Sequence, residues 1–159
     1  MVWGLVGKAQ RLMNRGETSV AAEILRRRIG EEERVNPRHM NLLGICEVKL
    51  GHREMAREIF GEVLASYPRN AAALTNMGNL AFLDGDGQAA GDYYTRALRE
   101  NAFLKEPRHN LVSLYQDMGH FEKALTAYEE YAFMAKAGRW SSALVALLFL
   151  LLLMLLVRR

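Results

Sequence analysis

Shifted by 34 residues, the sequence falls on itself. Gly44 lands on Gly78, and Gly51 lands on Gly85 and then on Gly119. Ala56 maps to Ala90 and Ala124, Phe60 to Tyr94 and Tyr128, and Leu43 to Met77 and Leu111. An earlier, degenerate unit joins at an offset of 35, with Leu5, Ala9, Gly16, Ala21 and Leu25 above Met40, Gly44, Gly51, Ala56 and Phe60. A fixed period of this length means stacked copies of one small supersecondary unit, because no copy can bury its apolar face alone.

Each unit reads as two amphipathic helices joined by a short glycine turn, as in NLLGICEVKL-GHR-EMAREIFGEVLASYP. The small residues Gly44 and Gly78, with Ala56, Ala90 and Ala124, let the paired helices approach closely. The aromatics Phe60, Tyr94 and Tyr128 are expected to fill the gap between one pair and the next. Glycines 16, 51, 85 and 119 stand where a helix ends and the backbone needs left-handed dihedrals. Pro68 closes one unit, and Pro37 and Pro107 lie near the starts of theirs.

Glycine, then alanine, then an aromatic four residues on, repeated at this period, resembles the tetratricopeptide repeat family from about Pro37 to Tyr131. The resemblance implies an all-α fold, a right-handed superhelix of antiparallel helix pairs. The expected organisation is a degenerate pair over 1–36 and three repeats over 37–136, at about 37–70, 71–104 and 105–136. There are departures from the pattern. Leu5, Met40, Leu74 and Arg108 replace an early large aromatic, Val112 replaces glycine, and Ala102 replaces the closing proline.

Residues 141–157 (SSALVALLFLLLLMLLV) carry no charge and are almost wholly aliphatic. As a helix they would be about 26 Å long, near the ~30 Å hydrocarbon core of a bilayer. Arg139, Trp140, Arg158 and Arg159 can reach the interfaces on either side. A core or capping helix is the competing reading, but no polar stripe is present for water to solvate. The expectation is therefore a transmembrane helix after a hinge at 137–140 and before a basic tail at 158–159. Its lipid-facing residues would include Leu144, Leu148, Leu152 and Leu156.

The formal charge of +3 comes wholly from Arg139, Arg158 and Arg159, so the residues ahead of them are balanced. That argues against nucleic acid, which needs a basic face to displace counterions. The first sixteen residues lack a basic start and a long apolar run, so no secretory signal is read there. Exporting only the basic tail is simpler than exporting the repeats. This puts the repeats in the cytoplasm, on a bacterial inner membrane in preference to a mitochondrial outer membrane. One cysteine, Cys46, fits a reducing compartment.

In a stack of this family, the first helices of successive units line a concave groove. The resemblance implies that this groove holds an extended peptide or a helix of a protein partner. The columns nominate Asn41, Thr75 and His109, then Ile45, Asn79 and Ser113, then Phe82 and Gln116, and last Lys49 and Leu83. Asn41 and Asn79 offer both donor and acceptor to a partner backbone, and Ile45, Phe82 and Leu83 offer an apolar anchor. A single lysine beside Asp117 is too little for a clamp on a terminal carboxylate.

No catalytic set, cofactor site, metal site or small-molecule site stands out. His39, His52, His109 and His120 are scattered through the repeats. Asp84-Gly85-Asp86-Gly87 lacks the later ligands and glutamate of a calcium loop. Cys46 reads as an inert core thiol, and the run Arg26–Arg28 followed by Glu31–Glu33 neutralises itself. The expected function is a membrane-tethered adaptor without enzymatic activity. The alternative is an accessory or assembly subunit of a membrane complex, held through its transmembrane helix.

Overall fold

The computed structural model describes residues 2–34, 36–130 and 132–133. The helices are α1 (Val2–Asn14), α2 (Thr18–Gly30), α3 (Pro37–Lys49), α4 (Arg53–Ser66), α5 (Ala71–Leu83), α6 (Gly87–Glu100) and α7 (Lys105–Asp117). A further helical stretch, 121–130, is α8. The chain divides into two units, Met1–Pro107 and Arg108–Arg159, so that α7 begins in the first and continues in the second.

The turn inside each helix pair uses one chemical solution throughout. Gly16, Gly51, Gly85 and Gly119 hold φ of 83°, 87°, 80° and 72°. In that conformation the next backbone N–H reaches back to the helix it has left. Glu17 donates to Leu12 O at 2.9 Å, His52 to Glu47 O at 2.9 Å and Asp86 to Ala81 O at 2.9 Å. This bond closes the orphan carbonyls of the helix end, and a residue with a Cβ would be strained there. The donating residue then serves as the N-cap of the following helix. Only Asp86 of these three caps with its side chain, accepting from the Ala89 N–H at 2.9 Å.

At the starts of α3 and α5 the signal is an asparagine. Asn36 Oδ1 accepts from the backbone of Arg38 and His39, with Pro37 at the first helical position. Asn70 Oδ1 accepts from Ala73 N–H at 2.9 Å. Both asparagines are extended while their side chains satisfy helix N–H groups that would otherwise lack a partner.

In the first unit, one core cluster joins Ala9, Met13, Ala21, Ala22 and Leu25 to Leu42, Leu43 and Cys46 of α3. The next joins Ala56 and Phe60 to Leu80, with Ile45, Val48 and Met77 packed around them. Phe60 also lies over Gly44 of its own pair, and Tyr94 lies in the same way over Gly78. The aromatic therefore seals its own pair and, in the case of Phe60, also meets the next first helix through Leu80 and Met77. Full burial of such a ring contributes about 2–3 kcal/mol.

In the second unit Leu111, Leu114 and Ala124 are buried. Arg108, which stands in the early aromatic position, is buried too, and its Nη1 donates to Glu130 Oε2 at 3.0 Å. Tyr128 departs from expectation. It is 55% exposed, whereas Phe60 and Tyr94 are each 1% exposed. Its partner position is Val112, where the other two pairs have a glycine whose added Cβ would fall within 3 Å of the ring.

Among the described residues no helix is long and apolar enough to cross a membrane. The hinge at 137–140, the segment 141–157 and the tail at 158–159 lie outside the described residues. So do Trp140, Leu144, Leu148, Leu152, Leu156 and Arg158.

Candidate protein-interaction surface

The first helices α3 and α5 carry most of the residues expected to meet a partner, and the structure sorts them into two groups. Asn41, Thr75 and Asn79 are committed inside the chain. Asn41 is 7% exposed, and its Nδ2 donates to Asn70 Oδ1 at 3.1 Å. It thus braces the cap of α5. Thr75 is buried, and its hydroxyl donates to Ala71 O at 2.8 Å. The Asn79 amide donates to Glu106 Oε1 at 3.0 Å and accepts from the Tyr94 hydroxyl at 2.8 Å. Of the two amides expected to offer both donor and acceptor to a partner backbone, Asn79 uses both ends within the chain, whereas Asn41 uses its donor and keeps a buried Oδ1 without a hydrogen bond.

Ile45 is half-buried and contributes mainly to packing between neighbouring helices. Phe82 and Leu83 form the second group, 42% and 47% exposed at the end of α5. Lys49 is exposed at the end of α3. In the second unit His109 and Gln116 are exposed and Ser113 is half-buried.

Charge around Phe82 and Leu83 is well defined. Arg53 Nη1 donates to Leu83 O at 3.2 Å and to Asp84 Oδ1 at 3.4 Å. Arg57 Nη2 pairs with Asp84 Oδ2. The Arg57 hydrogen bond holds the Asp84 carboxyl below its usual range, with further lowering from the charges of Arg57 and Arg53. The pairing likewise raises the Arg57 guanidinium. Asp84 is therefore an anion held between two arginines beside two exposed apolar side chains.

Sequence reasoning overlooked a second polar centre. Glu47 is fully buried at the end of α3, yet its Oε1 accepts from Arg26 Nη2 at 2.6 Å and its Oε2 meets His52 Nδ1 at 2.9 Å. A buried carboxylate needs such partners, since an isolated one would cost several kcal/mol. Next to it, burial first and the Glu47 charge second push the Cys46 thiol up to about 11. The thiol is thus protonated and unreactive near neutral pH. His39 is buried as well, with Nδ1 2.8 Å from Glu32 Oε1. The basic and acidic runs neutralise each other through Arg27–Glu31, Arg28–Glu31 and Arg28–Glu32 contacts of 3.5, 3.4 and 3.6 Å. Among the described residues no three His, Cys, Asp or Glu side chains gather as metal ligands.

Also overlooked were Phe121 and Leu125, 73% and 59% exposed on α8, where Tyr128, expected to be packed, is 55% exposed beside them. Their signal was available in the repeat columns. Phe121 and Leu125 stand where earlier units have Arg53 and Arg57, then Gly87 and Gly91.

Family models described as tetratricopeptide repeat match residues 47–104 and 106–132. No curated protein matches the sequence. Among solved structures, a crystal structure of MamA shares 22% identity over 79% of this chain and 73% of that one, with a TM-score of 0.66. A tetratricopeptide repeat protein from Parabacteroides merdae ATCC 43184 shares 21% identity over 80% of this chain, with a TM-score of 0.66, and this chain spans 50% of its length. The structure of MamA MSR-1 shares 19% identity over 84% of this chain and 76% of that one, with a TM-score of 0.65. At these identities the likeness speaks for the fold. The two family matches together span more than half of the chain, the glycine turns of both are in place, and the first also holds the Gly78–Tyr94 contact. The chain belongs to the tetratricopeptide repeat family.

Proposed function

We propose that this protein is a membrane-tethered adaptor that binds a protein partner, a peptide or a helix, on the face carried by its first helices. The fold is that of a protein–protein interaction scaffold. The observation that carries the finer reading is the exposed pair Phe82 and Leu83 beside the Arg53–Asp84–Arg57 cluster. Two apolar side chains next to fixed charges offer an anchor and an orienting rim, the usual division of labour at an interface. Lys49, exposed at the end of α3, extends the rim. Asn41, Thr75 and Asn79 shape the face from behind.

The tether is the uncharged segment 141–157, which has the length and composition to cross a bilayer. The reading places the repeats on the cytoplasmic side of a bacterial inner membrane. A lone, protonated, buried thiol suits that compartment. Tethering concentrates the bound partner at the membrane without any new contact. The protein has no enzymatic role in this reading.

The test is a mild-detergent pull-down with the full chain and with Phe82→Ala/Leu83→Ala. Loss of partners from the double variant, with membrane fractionation and helical circular dichroism unchanged, supports the adaptor. If the double variant retains its partners, but replacing 141–157 with an unrelated apolar span removes them, the protein is a subunit held through that segment.

A further inference from the structure

Phe121, Leu125 and Tyr128 occupy successive turns of one face of α8 and are 73%, 59% and 55% exposed. The same face two repeats earlier shows what such a surface meets. In α4 those positions are Arg53, Arg57 and Phe60. Arg53 and Arg57 bind Asp84 at the end of α5, and Phe60 packs with Leu80 and Met77 of α5. The face is thus where a helix pair receives the first helix of the next unit.

Carried forward by the same two repeats, α5 lands on residues 139–151. Met77 becomes Val145, Leu80 becomes Leu148 and Asp84 becomes Leu152. Both sides of the contact have changed together. Where the arginines of α4 meet an aspartate, the Phe121 and Leu125 of α8 would meet a leucine. The spacing fits as well, because the connection at 67–70 maps onto 135–138, which contains Gly138.

We propose that the α8 face is a docking site for residues 139–151 of the same chain, folded as the next first helix whenever no bilayer is at hand. Docking covers one side of that helix. The remaining perimeter stays apolar, so a bilayer outcompetes α8 once it is available. Insertion then uncovers Phe121, Leu125 and Tyr128. The inference is independent of the partner face on α3 and α5.

Full-length protein made without membranes, at high dilution, would carry Leu125→Cys with Leu152→Cys, leaving the buried Cys46 in place. A control pair, Leu125→Cys with Leu150→Cys, uses the position equivalent to exposed Phe82. The expected result is an intramolecular disulfide several-fold more abundant in the first pair than in the control. Equal yields, or links only between separate chains, would overturn the proposal.

A second set keeps the test clear of folding artefacts by monitoring Tyr128→Cys with Leu148→Cys. Phe121→Arg with Leu125→Arg should abolish that link, and adding Leu152→Asp should restore it by rebuilding the pairing seen at Arg53, Arg57 and Asp84. Absence of rescue would count against the register. Adding phosphatidylcholine vesicles during synthesis should remove the link. A link that persists in the membrane-free samples and survives vesicles leaves the docking intact and refutes the anchor.

Discussion

The ring of Phe60 lies so close over Gly44 that a Cβ there would fall 2.6 and 2.9 Å from its Cζ and Cδ1, and nearer still to Cε1. Gly78 and Tyr94 repeat the arrangement, with Cβ 2.6 Å from Tyr94 Cε1. Such distances are not reached by real carbons, so glycine is required by the approach of a neighbour and not by its own dihedrals. Gly44→Ala and Gly78→Ala gain up to about 1 kcal/mol of helix propensity. Displacing a buried ring costs about 1–3 kcal/mol. With the full propensity gain, each should therefore lose about 0–2 kcal/mol net in urea melts. Gly61→Ala is the contrast, since a Cβ there meets nothing within 4 Å. It should gain about 0.5–1 kcal/mol.

Val112 stands in the glycine column, and Tyr128 is the one aromatic of its column left exposed. Val112→Gly should let Tyr128 settle as Phe60 and Tyr94 do, at a helix cost of about 0.5 kcal/mol. Residue-resolved nitration read by mass spectrometry is the check, with Tyr128 expected to become less reactive. Unchanged reactivity would mean the valine is not the obstacle.

Removing Arg26 and neutralising Glu47 should differ in cost. Arg26→Ala leaves the buried Glu47 carboxylate with His52 alone and should cost about 2–4 kcal/mol. Glu47→Gln removes the buried charge and frees two half-exposed partners to return to water, so about 1–2 kcal/mol is expected. Equal losses in thermal or urea unfolding would contradict the idea that the buried carboxylate is the costly member.

Asp84 supplies an acid dependence. Its carboxyl is held below the usual range in the folded state, first by the Arg57 hydrogen bond. A lowered folded value means the stabilisation is present above the unfolded carboxylate pKa and is lost as pH falls through the folded one. Asp84→Asn should lower stability at neutral pH and flatten this acid-side decline. High salt should weaken the effect, because the pair is exposed.

The helix pairs, their glycine turns and the glycine–aromatic contacts were legible in the chain because each depends on spacing within one or two units. A turn needs left-handed backbone at one position, and a close approach needs a missing Cβ sixteen residues before a ring. The surroundings of the polar residues expected to meet a partner were not legible. Periodicity tells which side of a helix a residue takes, but not which cap or carboxylate arrives on that side. Asn70 covers Asn41, and Tyr94 and Glu106 take both ends of the Asn79 amide. Glu47 is the same case in reverse, an acid whose burial becomes affordable only when Arg26 and His52 converge on it. Sequence alone therefore determined the repeating scaffold, since local sterics recur at a fixed period. Tertiary structure decided which side chains are left for a partner, because that depends on what neighbouring helices have already claimed.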